Sequence, residues 1–532
     1  MRRFFLRIKT YKLFKRKFYN RSTVSVFLII FGFYGWTALT FNPGYEVDKV
    51  WIEHIYKRDP SGYVRLSEAF LSGQISMKEL PKPELLALND PYDPTTNAKF
   101  RHHDWALFQG KYYLSWSPVP ALLLFIPANV LGIPMNSALA CIFLGSVLLV
   151  LLFVLLRQII PKSHHPSGLQ SSLLILILGF GSYTPILLRR PADYEVAILT
   201  GSVFVILSLL LFVRSTTLLK HKSLNASFAV LASMLAFWSR PSFIFVPLLI
   251  AGFIIFNNRH NLKKIIYLIC LPVASVAIPM GIYNHLRFGS IFEFGAKYQL
   301  AGIRLKSFSL SWIIPKLQSD LLAHRFFGFF PWTTTGESPF REKMYPNYNL
   351  EQNLGLLVAM PWTIVIFIIA WQQRKTLTKA LDGRIQVLTI ACFSAIGAWI
   401  IQLVAVPGTT SRYQGDTAPL LTLILLTLFK FINDFKLSLN VKFKIAGVVL
   451  LAFVIFQYQL FGDLPLTINF FLILIMVAFL ITLRPIDIQL NSAILHMSAM
   501  AWTLTLIGLT SLSVGGNDSF DFLPYGFQWW ES

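Results

Sequence analysis

The stretch RDPSGYVRLSEAFLSGQ, residues 58–74, sets an acid, Asp59, directly before a proline and a short amphipathic pattern. An exposed aspartate titrates near ~3.9, so it is ionised at neutral pH and can take a proton from a hydroxyl within hydrogen-bond reach. A structural role competes with that one, because an acid before Pro60 has the form of a helix N-cap followed by proline at the first helical position. The cations that could join Asp59 are arginines. Arg58, Arg189, Arg190, Arg240, Arg287 and Arg412 sit at the edges of apolar runs. There a guanidinium either anchors to lipid headgroups or grips phosphate oxygens with two parallel N–H groups. Arg287 and Arg412 are the preferred phosphate ligands, since each lies among aromatic or polar residues, and Lys111 comes next. RHHDW, residues 101–105, offers two adjacent histidines and Asp104. Neighbouring histidines point apart on a helix or strand, so a shared divalent cation needs a loop there. Asp104 can instead line a substrate pocket. A divalent cation is compatible with this set and not demanded by it. NDPYDP, residues 89–94, reads as tandem turns.

The elements that must hold these groups are membrane helices. Of 532 residues, 55% are hydrophobic and 14% charged, which fits neither a soluble globule nor a disordered chain. Apolar runs of roughly 20 residues recur, enough to cross a hydrocarbon core of ~30 Å. Thirteen are read, at 23–41, 137–156, 169–188, 195–213, 223–238, 242–256, 265–283, 353–371, 385–406, 418–432, 445–461, 466–483 and 493–513. The first is expected to stay in the membrane, as no small-residue cleavage site follows it. The apolar segment 118–134 holds four prolines and is read as juxtamembrane or re-entrant. The fold class is thus an all-α polytopic membrane protein. A basic tail, 1–22, lies inside; the transmembrane domain spans 23–513, with outer loops 42–117 and 284–353; a short outer tail, 514–532, follows.

Charge sets the orientation. Counting Lys430 at the inner end of its span, the inner segments carry 26 of the 47 Lys and Arg. They carry only three acids, Asp382, Asp434 and Asp487. Excess Lys and Arg on inner loops is the topology rule, and it puts the N-terminus in the cytoplasm. Reading 118–134 as a span would reverse every later loop and erase most of the bias. The net charge of +22 is accounted for by anionic inner-leaflet lipid, at about 1 kcal/mol per basic residue, and no nucleic acid is implied. Cys141, Cys270 and Cys392 all lie in apolar runs, with no disulfide framework or zinc spacing.

From Tyr63 onward, Tyr63, Val64, Leu66, Ala69, Phe70 and Leu71 gather on one side at helical spacing, with Arg65, Ser67, Glu68 and Ser72 opposite and Gly73 suited to the stop. The pattern predicts a helix lying on the membrane surface.

A first span, an outer loop with an acid, and then GYVRLSEAFLSG resembles the GT-C superfamily of membrane glycosyltransferases. The chain looks most like the branch that holds protein O-mannosyltransferases and the lipid A aminoarabinose transferase. The resemblance implies that Asp59 is the catalytic base, although Asp-Pro stands here where that branch often has a second acid. GKYYLSWSPVPALLLFIPANVLG is similar to the branch's Lys-Pro-Pro segment, with Lys111 placed earlier. LLRRPADYEVAIL sits where a second outer acid often falls, which makes Asp193 and Glu195 candidates. YNHLRFGSIFEFGAKYQL and SRYQGDTAPLLTLI look like segments of bacterial members. What the resemblance implies is a hexosyl or pentosyl transferase of a bacterial-type inner membrane, with its active site on the outer face. The donor would be a polyprenyl-phosphate sugar and the acceptor a glycan, lipid or protein hydroxyl. Displacement at such a donor needs a base for the acceptor and cations for the charge growing on the departing phosphate. Two alternatives stay open: a lipid-linked sugar flippase or transporter, and an O-antigen ligase or polymerase, for which His324 and Arg325 would be the late-loop residues.

Overall fold

The structure is a computed structural model. It describes residues 21–39, 61–93, 95–102, 105–160, 165, 168–180, 182–188, 191–217, 221–300, 313–322, 325–326, 333–334, 355–359, 384–405 and 411–432. Asp59, Asp104, Arg190 and His324 lie outside the described residues, as do the spans read at 445–461, 466–483 and 493–513. Helix α1 is Arg21–Leu39, α2 is Gly62–Leu71, and strands β1 (Trp105–Phe108) and β2 (Lys111–Leu114) form a hairpin. Then come α3 (Ala121–Val130), α4 (Ser137–Ile159), α5 (Gly168–Phe180), α6 (Thr184–Leu188), α7 (Asp193–Thr217) and α8 (Lys222–Ser239). Helices α9 (Pro241–Asn258), α10 (Leu262–Phe288), α11 (Ile313–Leu322), α12 (Ile385–Ala405) and α13 (Ala418–Ile432) complete the set used below.

Among the described residues, five helices are long and apolar enough to cross a membrane: α4, α7, α9, α10 and the Ile385–Val404 part of α12. Helix α7 is central and packs along α8 and α4, while α1 lies against α5 and α4. Its ends suit its dipole, with Asp193 and Glu195 in the first turn and Arg214 in the last. Helix α10 is the opposite case. Leu271, Ile278, Ile282 and Leu286 stand exposed along it, as befits a face turned to lipid in a membrane protein.

Close approach between spans is obtained with glycine. A Cβ at Gly397 of α12 would fall 2.2 Å from the Phe245 ring of α9. Gly397→Ala is therefore expected to cost about 1–3 kcal/mol through overpacking. The check is the thermal midpoint of the detergent-solubilised protein. A change of Gly252→Ala, which meets nothing within 4 Å, should leave that midpoint in place.

Four sequence expectations are corrected. The run 169–188 is two helices, broken at Ser182–Tyr183, where Ser182 Oγ accepts from Thr184 N (3.4 Å) and Pro185 withholds a donor from the first turn of α6. The span read at 265–283 runs on to Phe288 and stops at Gly289, whose φ of +73° suits a helix end. Arg287 is thus a helical residue, not a loop one. The segment around SRYQGD is not an open loop: residues 411–416 form a 3₁₀ turn packed on α7 and α6, with Gln414 and Asp416 buried. The all-α fold class is broken by residues 105–114, which form a β-hairpin. Gln109 and Gly110 both have positive φ (48° and 69°), the geometry of a two-residue turn whose twist matches antiparallel strands. Segment 118–134 contains the ten-residue helix α3, about 15 Å long and too short to span.

Candidate active site at one end of the bundle

Helix α2 begins at Gly62, and its N-cap is Ser61, whose hydroxyl accepts from Val64 N at 3.3 Å. The capping role proposed for Asp59 is therefore filled by another residue. The face of α2 also differs from its pattern. Ser67 is buried, its hydroxyl donating to Val64 O at 2.7 Å, and Leu71 is exposed. The helix packs on α3 and β2 and forms a wall of the protein as well as a surface element.

Three elements meet at Asp193, the first residue of α7. Its Oδ2 accepts from Gly62 N at 2.7 Å, and its Oδ1 accepts from the Ser137 hydroxyl at 3.3 Å. A carboxylate is favoured there because the first backbone N–H groups of a helix carry partial positive charge. Position 62 is crowded: a Cβ there would come within 2.5 Å of a Leu114 methyl and 3.0 Å of the Asp193 carboxylate. Glu195 is buried and reaches back to accept from Ala192 N at 3.2 Å. That is the reciprocal half of a capping box, so this acid closes the start of α7.

Beside Asp193, Tyr194 meets the Trp116 ring edge-on at 4.5 Å between centroids. The guanidinium carbon of Arg412 stands 3.9 Å over Tyr194, a close cation–π contact. Tyr63 completes this wall. Its ring stacks on Phe125 at 5.7 Å and lies 6.2 Å from Trp116, and its hydroxyl is fully buried with no hydrogen-bond partner among the described residues. Burial and the Asp193 carboxylate push its pKa well above the phenol range against the pull of Arg240, so it remains a donor.

Arg412 is held through the other end of its 3₁₀ turn. Asp416 is fully buried and accepts from Arg240 Nε (3.1 Å) and Nη2 (2.8 Å), from Ser242 Oγ (2.8 Å) and from Gln402 Nε2 (2.9 Å). Arg240, one of the arginines read as a span-edge anchor, is thus a structural ion pair with a partner 176 positions away. Arg287 is similarly occupied. Its Nη1 donates to Leu114 O and its Nη2 to Asn284 Oδ1, both at 2.8 Å, and its guanidinium lies 4.1 Å from the Tyr283 ring centre. It braces the end of the hairpin. Through Leu114 it adjoins Gly62, so it stands at the same end of the bundle as Arg412. Lys111 sits exposed at the hairpin turn, about 10 Å along the strand from Leu114.

Among the described residues no group of three His, Cys, Asp or Glu side chains could hold a metal ion. His102 stacks on Trp105 at 4.3 Å and pairs with Glu79, which also takes Arg65. His103 and Asp104 lie outside the described residues. Arg325 is in a two-residue strand paired with Thr333–Thr334. The groups that sequence reading missed are Tyr63, Asp416, Gln402 and a buried Lys316–Asp320 pair on α11. Asp416 alone had a signal, as the sole acid in the polar segment between two apolar runs.

These features define a multi-pass membrane protein with a polar, aromatic-walled centre at one end of its helices. No family model matches the chain, and no curated protein matches it. Among solved structures it is similar to the archaeal oligosaccharyltransferase AglB from Archaeoglobus fulgidus in complex with an inhibitory peptide and a dolichol-phosphate. The identity is 12% over 92% of this chain and 56% of that one, with a TM-score of 0.44. For the apo form of the A. fulgidus enzyme the figures are 12%, 90%, 56% and 0.42. The chain thus matches little more than half the length of these enzymes.

Proposed function

We propose that the protein is a membrane glycosyltransferase that moves a hexosyl or pentosyl group from a polyprenyl-phosphate donor to an acceptor hydroxyl at the outer face of the membrane. The observation that carries this reading is the Gly62–Asp193 hydrogen bond. It ties the residue three positions after Asp59 to the residue beside the Tyr194–Arg412 stack. Three residues of chain reach at most about 11 Å, which bounds how far Asp59 lies from Gly62. A carboxylate base and a guanidinium beside the donor are the pairing that displacement at an anomeric carbon requires.

In this reading Asp59 takes the acceptor's hydroxyl proton as its oxygen bonds to the anomeric carbon. The bond from that carbon to the donor phosphate breaks, and its electron pair leaves with the polyprenyl phosphate. Arg412 opposes the charge that grows on the leaving oxygens, and the Tyr63 hydroxyl is a further donor nearby. Asp193 positions Gly62, and with it the segment that carries Asp59. Arg287 supports the hairpin against which Gly62 packs. The outer location rests on the excess of basic residues in the loops at the other ends.

The test is direct. Purified protein in nanodiscs, given a polyprenyl-phosphate sugar and a pool of hydroxyl acceptors, should form a new glycosidic bond detectable by mass spectrometry. Arg412→Lys keeps the charge and loses the planar stack, and donor KM should rise about tenfold, the equivalent of one charge-assisted hydrogen bond. Translocation of the lipid-linked sugar with no new bond would make the protein a flippase.

A further inference from the structure

Helix α11 comprises residues Ile313–Leu322. Lys316 (3% exposed), Ser319 (1%) and Asp320 (4%) recur at one-turn spacing on its buried side, while Ile314 is 73% exposed. Leu321 of the same helix packs against the hydrophobic core, so charged and apolar side chains share its buried side. The buried stripe lies against α12. The Lys316 ammonium donates to the backbone oxygen of Gln402, and the Trp399 indole hydrogen-bonds to Asp320. Trp399 and Gln402 are three residues apart and share one face of α12.

Gln402 is in the last turn of α12, where backbone carbonyls lack intrahelical donors and a cation is favoured. Its side-chain amide turns the other way. Nε2 donates to Tyr413 O at 2.8 Å and to Asp416 Oδ2 at 2.9 Å, inside the turn that begins with Ser411 and Arg412. One residue therefore links the second outer segment to the guanidinium on Tyr194. Lys316 holds its backbone, and its side chain holds the turn at two points on the far side of Arg412. Burial lowers the Lys316 pKa to about 8 despite Asp320, and raises that of Asp320 to about 7 despite Lys316.

We propose that Lys316 and Gln402 are positioning residues for Arg412, pinning the 411–416 turn so that the guanidinium lies flat on Tyr194 and meets the donor's anionic group. This rests on the reading of Arg412 as a phosphate ligand. The experiment keeps the two ideas separable.

Phenylglyoxal modification of Arg412 is followed by peptide mass spectrometry in full-length protein, with exposed Arg259 as the internal standard. Lys316→Met preserves side-chain length and removes the donor, and Gln402→Leu removes the amide. In both, Arg412 should react about tenfold faster and donor KM should rise about tenfold, with kcat within about twofold of wild type. Lys316→Arg restores a charged donor and should return both values to near wild type. A general loss of fold would lower kcat and the thermal midpoint of Lys316→Met together. Wild-type Arg412 reactivity and donor KM in Lys316→Met, or failure of Lys316→Arg to restore them, overturns the positioning role. Separately, polyprenyl phosphate should protect Arg412 in the wild type. Absence of protection retires the phosphate reading, and the lipid-free reactivities still decide the positioning claim.

Discussion

Asp59→Asn is expected to lower turnover by about 10³-fold, within the span general bases ordinarily contribute, and to leave donor KM and thermal midpoint close to wild type. Asparagine has the shape of aspartate and cannot accept the acceptor's proton. The stability half of the expectation follows from Ser61. Were Asp59 the cap of α2, asparagine would still cap, but loss of the charge beside the helix dipole would weaken the helix start by about 0.3–1 kcal/mol. With Ser61 Oγ already on Val64 N at 3.3 Å, that loss has no source. The signature is thus a rate that collapses in a protein that melts normally. Turnover measured with saturating donor, beside a thermal scan of the same preparation, provides both numbers. Wild-type turnover in Asp59→Asn removes this residue from the chemistry. A shifted midpoint would return it to a structural role.

What the sequence made legible follows the range of the forces involved. Periodicity is local, so α2 appeared in the right place, as did the five long apolar helices and the helix-stopping Gly73, with its φ of +75°. The same locality explains the errors. Asp-Pro and Ser-Gly are both acceptable helix starts within four residues, and only the fold chose Ser61. Ser67 looks polar and solvent-facing until its hydroxyl is found on Val64 O, inside the wall made by α2 and α3. Arginines at span edges look alike in one dimension. The structure separates Arg412 on Tyr194, Arg240 on Asp416 and Arg287 on Leu114 O through partners 218, 176 and 173 positions away. No spacing rule reaches that far. Helix α11 is the extreme case. Its IIPKLQSDLL pattern reads as an ordinary amphipathic helix, and nothing local tells which side faces in.

The largest stability effect is expected at Asp416. Four donors from three elements converge on this fully buried carboxylate, and Arg240 supplies two of them. Asp416→Ala strands the Arg240 guanidinium in a desolvated site and frees the Ser242 and Gln402 donors, a loss of about 3–5 kcal/mol by analogy with other broken buried pairs. Arg240→Met, which leaves the carboxylate with two neutral donors, should fall in the same range. The double change Arg240→Met/Asp416→Leu replaces two buried charges with apolar groups of similar volume and should recover much of the loss, since desolvation of both ions is then avoided. Thermal midpoints of the three variants decide between two accounts of the centre. Strong non-additivity, with the double variant more stable than either single one, establishes an ion pair whose value lies in geometry. Additive losses would mean that Arg240 and Asp416 act through separate partners. Activity distinguishes the pair's structural role from its bearing on Arg412. Gln402 and the 411–416 turn lose their common anchor in the double variant, so donor KM should remain raised even where stability has returned.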